Sequence, residues 1–542
     1  MKKYLLIFTL GMTGMVFSNS LDAQDGPSYK LPPEEIIKLV DAPSTPSIYI
    51  SPDGASIVLG ENRGLPSLEE MAAEEVRLGG LRINPLTNGP SKESFHSGLE
   101  VMDVSGTLQK AVEGLPETPK INKLKWSSDG KYLAFLNTTD RGIELWVLEI
   151  ASTRATKLSG AVVNNAIGDA YHWISNTHQL IYSIIDPARG NLPQKPKMAS
   201  GPVIQENMGK KAASRTFQDL LKNPYDEALF EYFTVSQLKL VDVSGQQHDI
   251  VDKGILGSFS PSPDGKYILV SRIEKPFSYI VPFYRFPERI EVWDIEGKLI
   301  KVIAEIPLTD NIPQGAGAVQ KGPRNLDWRN DAPSTLYWVE ALDEGDPAIN
   351  SEYRDQVFFL DAPFTNTPTA GLKLNLRFSG IQWGKGQVAI ITESWWKDRK
   401  QITSFFNPSD PSQSKRVIFD RSSEDRYNDP GRFITRINEN GQYVLMFDKK
   451  GSKLFLSGSG ASPKGNRPFV DEFEINDLKT KRIWQSEDPY YEYLVRLLDP
   501  NKGVLITRRE SQNQHPDYYL RELKKKKISQ ITHLPDPSEG LK

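Results

Sequence analysis

One turn motif, repeated along the chain, constrains the fold more than any other feature. Its clearest copy is Gly257–Ile273, GSFSPSPDGKYILVSRI. Ser258–Pro261 ends a strand, and Asp264-Gly265 turns the chain tightly, because glycine takes positive φ freely and aspartate tolerates it. Tyr267-Ile268-Leu269-Val270 then forms an aromatic and β-branched strand. Arg289–Asp294 and Lys298–Ala304 add two more strands, with Glu296-Gly297 turning between them. Four antiparallel strands this close together cannot bury two apolar faces unaided, so the stretch reads as one blade of a β-propeller.

Seven further stretches follow the same pattern: Ile48–Leu59, Leu124–Leu136, Tyr171–Ile184, Asn325–Ala341, Ile381–Thr392, Phe433–Phe447 and Tyr493–Thr507. The third of the eight, in chain order, is degenerate, with Asn176 and His178 at its turn. The last is completed by Asp517–Leu523 and Ile528–Thr532. A simple blade repeats every ~40–50 residues. The turns here, near residues 53, 129, 177, 264, 331, 385, 440 and 501, are mostly farther apart, so most blades carry insertions. The longest is Asp186–Tyr232, for which a helix is predicted at Thr216–Lys222; a helical pattern also runs through Leu65–Leu78. The expected fold is all-β: a propeller of seven or eight four-stranded blades over residues 48–537, with loop insertions. A short helix after Pro33 is expected in the segment 24–47. Eight follows from the literal count; seven follows if the first strands share a blade with the last. Separate stacked sandwiches would leave many strand edges exposed.

Lys2 and Lys3 precede the apolar run Tyr4–Phe17 and then the small and polar Ser18–Ala23. This is the order of a secretory signal peptide, read here as residues 1–23 with cleavage after Ser20 or Ala23. The expected location is therefore outside the cytoplasm: a bacterial periplasm, cell surface or medium. No later segment approaches the roughly 18 apolar residues of a membrane span, so none is expected after cleavage. The chain has no cysteine; it needs no oxidising compartment and has no thiol chemistry. A formal charge of −3 gives no basic footprint, and no nucleic-acid partner is expected.

No Gly-x-Ser-x-Gly nucleophile elbow occurs, nor HExxH, nor a phosphate-cradling glycine loop. The six histidines sit in strand or turn contexts without metal-ligand spacing. No catalytic residue, cofactor or metal is assigned. Two basic elements stand out, Lys275–Arg289 (KPFSYIVPFYRFPER) and Lys321–Arg324 (KGPR). Arg285 and Arg324 in them are the candidate substrate-binding residues, since an arginine at a propeller mouth can hold a carboxylate through two parallel hydrogen bonds. The bland alternative is an arginine paired with an acidic neighbour.

Several long strings carry a family resemblance: LPPEEIIKLVDAPSTPSIYISPDG (31–54), GPVIQENMGKKAASRTFQDLLKNPYDEALFEY (201–232), KPFSYIVPFYRFPERIEVWD (275–294), KGPRNLDWRNDAPSTLYWVEA (321–341) and SSEDRYNDPG (422–431). From Leu31 to about Pro537 the chain resembles the non-catalytic region of the prolyl oligopeptidase-type serine peptidases, in their glutamyl endopeptidase branch. The resemblance implies a propeller over the mouth of an α/β-hydrolase domain that carries a Ser-Asp-His triad, with the propeller restricting access to small or unfolded polypeptides. No triad residue can be carried onto this sequence, and residues 538–542 are read as the start of a linker toward an absent hydrolase domain. The expected function is the substrate-gating portion of a secreted serine peptidase, inactive alone. Its partners would be a peptide substrate or a separate α/β-hydrolase domain. The alternative is a stand-alone peptide- or protein-binding propeller.

Overall fold

The computed structural model describes residues 31–42, 44–197, 216–313 and 315–536. The expected signal peptide and linker lie outside them. The chain divides into two compact units, one of them Pro43–Asp536. The other unit contains the expected short helix, Glu34–Asp41, which starts after Pro33 with Glu34 and Glu35 in its first turn and a Lys38–Glu34 pair at 2.8 Å.

In Pro43–Asp536 the repeated motif folds the same way at each full Ser-x-Asp-Gly copy. Ser262 Oγ donates to Asp264 Oδ1 at 2.7 Å, while Ser262 Oγ and Asp264 Oδ1 accept from the N–H groups of Tyr267 and Lys266. Ser127 and Asp129 repeat this with Tyr132 and Lys131. Gly265 and Gly130 follow at φ of +71° and +72°. The two side chains thus satisfy the turn's backbone donors, and the glycine takes the conformation that a Cβ would strain. In the degenerate third copy, Asn176 occupies the left-handed region instead, at φ +57°.

The described residues are mostly β, in sheets that are largely separate. An eight-stranded sheet is two antiparallel groups of four, joined by the single pairing of His96 with Ile121. A seven-stranded sheet is two groups sharing one long strand, Gln247–Pro261: its first half pairs with Val235–Asp242 and its second with Tyr267–Ile273. Four sheets of four strands follow, and beside the third of these stands a two-stranded hairpin, Thr435–Ile437 with Tyr443–Leu445. This gives eight successive groups. Each is drawn from one continuous stretch, and Ser47–Ile50 pairs with Ser56–Asn62 rather than with the last strands.

Each group is apolar on both faces, which explains strands that read as continuous hydrophobic runs. Leu133 and Phe135 pack toward the first group, Ala134 and Leu136 toward the third. Likewise Ile268 and Val270 face the third group and Leu269 the fifth. A separate hydrophobic cluster lies between every consecutive pair of groups. One more, with Ile50, Ile57, Leu59 and Met102 against Ile506, Tyr518 and Ile531, joins the last group to the first. Two of the buried carboxylates are satisfied locally. Trp146 and Trp293 each donate Nε1–H to a glutamate two residues earlier, Glu144 and Glu291, at 2.8 Å.

Because strands alternate in direction, all first-to-second turns lie at one end of the sheets and all second-to-third loops at the other. Three second-to-third loops, 63–95, 186–234 and 274–287, are long, and described residues of all three meet at that loop end. There Leu78 and Ile83, Leu221, Leu229, Phe230 and Phe233, and Val281 and Phe286 form one cluster on Ile255 and Ile273. One helix expectation needs correction. Thr216–Lys222 is not helical: Asp219 turns the chain at φ +57°, and the helix begins later, at Pro224–Thr234, where Asn223 Oδ1 caps the N–H of Asp226 and Pro224 opens the first turn. The helical pattern in Leu65–Leu78 forms the helix Leu68–Ala72, opened by a Ser67–Glu70 capping box, and Val76–Leu78 is a strand.

A Cβ on Gly265 would lie 2.9 Å from Ile174 Cγ2 and 3.1 Å from the Ser175 carbonyl oxygen, whereas one on Gly245, at φ +91°, would meet nothing within 4 Å. Gly265→Ala is therefore expected to cost about 1–3 kcal/mol and to lower the urea midpoint more than Gly245→Ala, as read by tryptophan fluorescence.

Candidate functional site

The first strand of each group lies innermost; six of the eight have one neighbour in their sheet, while Ile121–Trp126 also meets His96 of the first group and Gln247–Pro261 is shared with the third. Together these inner strands enclose a cavity of about 1040 Å³. Its wall includes Ile48–Ile50, Leu124–Trp126, His172–Trp173, Ser260–Pro261, Asp327–Trp328, Arg432–Ile437 and Leu494–Leu497, from seven of the eight groups. The sixth group's inner strand, Arg377–Gln382, lies behind the segment from the seventh, with Gln382 Nε2 donating to Phe433 O.

Tyr49, Trp126, Trp173 and Tyr443 give the cavity an aromatic lining. Lys125 Nζ lies 3.3 Å from Asp169 and donates to Tyr171 O at 3.0 Å. Burial lowers the Lys125 pKa against the pull of Asp169. Burial, together with the Lys125 charge, takes His172 down to about 3, so its imidazole is neutral at ordinary pH. Arg496 donates to the carbonyls of Ile50 and Pro52 at 3.0 and 2.9 Å. Asp327 is open to the cavity but walled by protein atoms, and that burial raises its pKa. Arg432 and Arg436 are exposed within the cavity.

The turn end of this cavity is crossed by the hairpin Thr435–Leu445. Its tip is a variant of the repeated turn, Asn438–Gly441, with Asn438 Oδ1 accepting from the N–H groups of Asn440 and Gln442. The tip reaches the third group: Ser175 Oγ donates to Asn440 O at 2.6 Å, and Asn176 Nδ2 to Asn440 Oδ1 at 2.7 Å. It also engages the fifth group, where Asn438 Nδ2 donates to Asn330 O and Asn330 Nδ2 to Tyr443 O. Gly441 lies against Ser128 of the second group, close enough that an added Cβ would sit 3.3 Å from the serine Cβ. The seventh and third groups are four apart in the sequence of clusters, so the hairpin spans the cavity and floors it.

Neither residue predicted to bind substrate lines this cavity. Arg324 starts the inner strand of the fifth group and pairs with the fully buried Asp355, held by charge rather than by an aligned hydrogen bond. It belongs to a buried ionic lattice at the loop end. Arg377 donates to Asp343 through Nη2, to Asp355 and Arg354 O through Nη1, and to Gly317 O through Nε. Arg354 also pairs with Asp343 at 2.7 Å. Arg285 lies in a single turn of 3-10 helix, Phe283–Arg285, with its guanidinium over the Phe217 ring. Sequence reading missed Arg432, Arg436 and Arg496. The available signal was the position of Arg432 and Arg496 on the first strands of their groups and of Arg436 just after one, strands that line the cavity.

Among the described residues no helix is long and apolar enough to cross a membrane, and no group of three or more His, Asp or Glu side chains could hold a metal ion. No protein-family model matches the chain. Two plant proteins described as probable chloroplastic glutamyl endopeptidases are similar to it. The one from Oryza sativa subsp. japonica is 40% identical over 537 residues, covering 94% of this chain and 57% of the relative. The one from Arabidopsis thaliana is 39% identical over 539 residues, covering 94% and 56%. The chain thus spans little more than half the length of these relatives. Among solved structures, an acylaminoacyl peptidase from Pyrococcus horikoshii aligns at a TM-score of 0.36 and 10% identity, over 93% of this chain and 53% of that one. The β-propeller domain of the Trilobed protease from Pyrococcus furiosus aligns at 0.36 and 8%, over 77% and 99%.

The neutral His172 has a measurable consequence. Its folded pKa of about 3 lies below its ordinary 6.5, so between these values the unfolded chain binds the extra proton. This residue therefore makes stability fall as the pH drops through that window, and it contributes no slope above it. Histidine-selective NMR is expected to show no titration of His172 between about pH 8 and 5. His172→Gln is expected to flatten the acid limb of the stability profile.

Proposed function

We propose that Ser47–Gln530 closes into an eight-bladed β-propeller that serves as the peptide-admitting portion of a serine peptidase of the glutamyl endopeptidase type. The similarity to the two plant relatives, 40% and 39% over 94% of the chain, carries this reading. Support for closure comes from the cluster joining the last group to the first. Support for the central role of the cavity comes from the inner strands of seven of the eight groups, which line it. The nucleophile is supplied from outside these 542 residues, for the sequence offers no Gly-x-Ser-x-Gly turn. Acyl transfer needs a nucleophile, a base and an oxyanion hole; the cavity's one histidine, His172, is half-buried beside Lys125 and Asp169, with no serine in the lining hydrogen-bonded to it. Residues 1–23 act as an export signal in the same reading, and the mature protein works outside the cytoplasm.

Two measurements test this. Incubated with a fluorophosphonate probe and with glutamate-containing peptides, the purified 542-residue chain is expected to show neither labelling nor cleavage; stoichiometric labelling of any serine overturns the reading. Amino-terminal sequencing of the protein recovered from its native host is expected to begin at Leu21 or Gln24. A mature chain that retains Met1 overturns the export reading.

A further inference from the structure

The segment that floors the cavity also carries its two uncommitted charges. Arg432 and Arg436 both line the cavity and are exposed in it. Among the described residues no carboxylate lies within ion-pair distance of either guanidinium; the only side-chain bond either makes is that of Arg436 Nη1 to Ile437 O, at 3.5 Å. The other cations of the wall are committed: Lys125 to Asp169, and Arg496 to the carbonyls of Ile50 and Pro52. Most arginines elsewhere in the chain are tied to acids or carbonyls, as Arg324, Arg354 and Arg377 are. Two arginines left without acids inside a walled space are an exception that folding does not require. The wall's one acid, Asp327, accepts from the N–H of Trp328 at 2.8 Å, and its walled position raises its pKa.

The fold supplies a reason for their placement. The seventh group alone sends its first hairpin out of its own sheet and across the cavity, and Asn440 fastens the tip to the third group. Arg432 and Arg436 stand at the base and on the first strand of that hairpin, so the crossing brings both guanidiniums to the cavity. A guanidinium presents a planar fork that matches a carboxylate through two parallel N–H···O bonds, and the aromatic wall suits an extended chain between the anionic groups.

We propose that this cavity is a binding site for carboxylate-rich polypeptide segments, held by Arg432 and Arg436 above a closed floor. The proposal rests on the reading of the cavity as peptide-admitting and names the class of peptide it selects. The test is fluorescence anisotropy of labelled hexaglutamate, hexaglutamine and hexalysine with the full 542-residue chain. Hexaglutamate is expected to bind at least about tenfold more tightly than either other peptide and to weaken as salt rises. The double variant Arg432→Gln/Arg436→Gln is expected to lose about tenfold or more, and Arg432→Lys/Arg436→Lys to recover part of it. Because neither side chain holds an acid partner, the Gln variant is expected to keep the wild-type unfolding midpoint, which separates lost contacts from lost folding. Equal binding of hexaglutamate and hexaglutamine, tighter binding of hexalysine, or unchanged hexaglutamate affinity in a folded Gln variant overturns the proposal. Binding of all three peptides alike leaves the peptide-admitting reading standing while removing charge selection; binding of none removes both.

Discussion

A sheet with two apolar faces cannot end a structure; it must be covered on both sides. That constraint governs Pro43–Asp536. Each fully buried Val, Leu or Ile contributes about 1.5–3 kcal/mol relative to its exposed state, and the middle strands of each group place successive residues into opposite clusters. Leu133 and Phe135 belong to one interface and Ala134 and Leu136 to the next. An open row of such groups would leave one apolar face bare at each end. The cluster uniting Ile50, Ile57 and Met102 with Ile506 and Tyr518 removes both bare faces at once. Everything functional depends on this, because only sheets arranged around a centre turn their first strands toward a common space.

Much of this was legible in the residues. The Ser-x-Asp-Gly turns announce their geometry through side chains that satisfy their own backbone, so all full copies were readable, and so was the degenerate copy at Asn176. Local chemistry decides such turns, and sequence carries local chemistry well. The helix in the long insertion was misplaced by several residues because composition at Thr216–Lys222 resembles a helix, while the cap at Asn223 and Pro224 decides where one begins. The crossing hairpin was hidden for a different reason. NENG at 438–441 was read as one more turn, and so it is, but its partners Ser175, Asn176 and Asn330 lie far along the chain. The same limit applies to Arg324. Nothing near it in sequence reveals that Asp355 waits to absorb its charge.

The ionic lattice at the loop end shows how the ring tolerates buried charge. Arg377 engages two carboxylates and two carbonyls, and Asp355 also accepts from the N–H of Phe378 at 2.7 Å. Charges taken from water are costly unless every donor and acceptor finds a partner. Here the partners come from the fifth group, the sixth group and the loop at Gly317, so the lattice forms only when those pieces are in register. Its value is in fixing that register more than in net stability. Glu144 and Glu291 do the same work within single groups, each held by a tryptophan two residues on.

The first and last groups are each built from one continuous stretch, and no strand is traded between them. Their meeting is therefore a seam of side-chain packing, fastened by Arg496 to the carbonyls of Ile50 and Pro52. The shared strand Gln247–Pro261 makes the junction of the third and fourth groups a backbone join, and the other internal junctions are each spanned by a chain connection. The seam has neither. Under tension or heat the array behaves as a bracelet with one clasp, and that clasp borders the cavity where Arg496 stands. The one junction without a backbone link is thus also part of the cavity's wall.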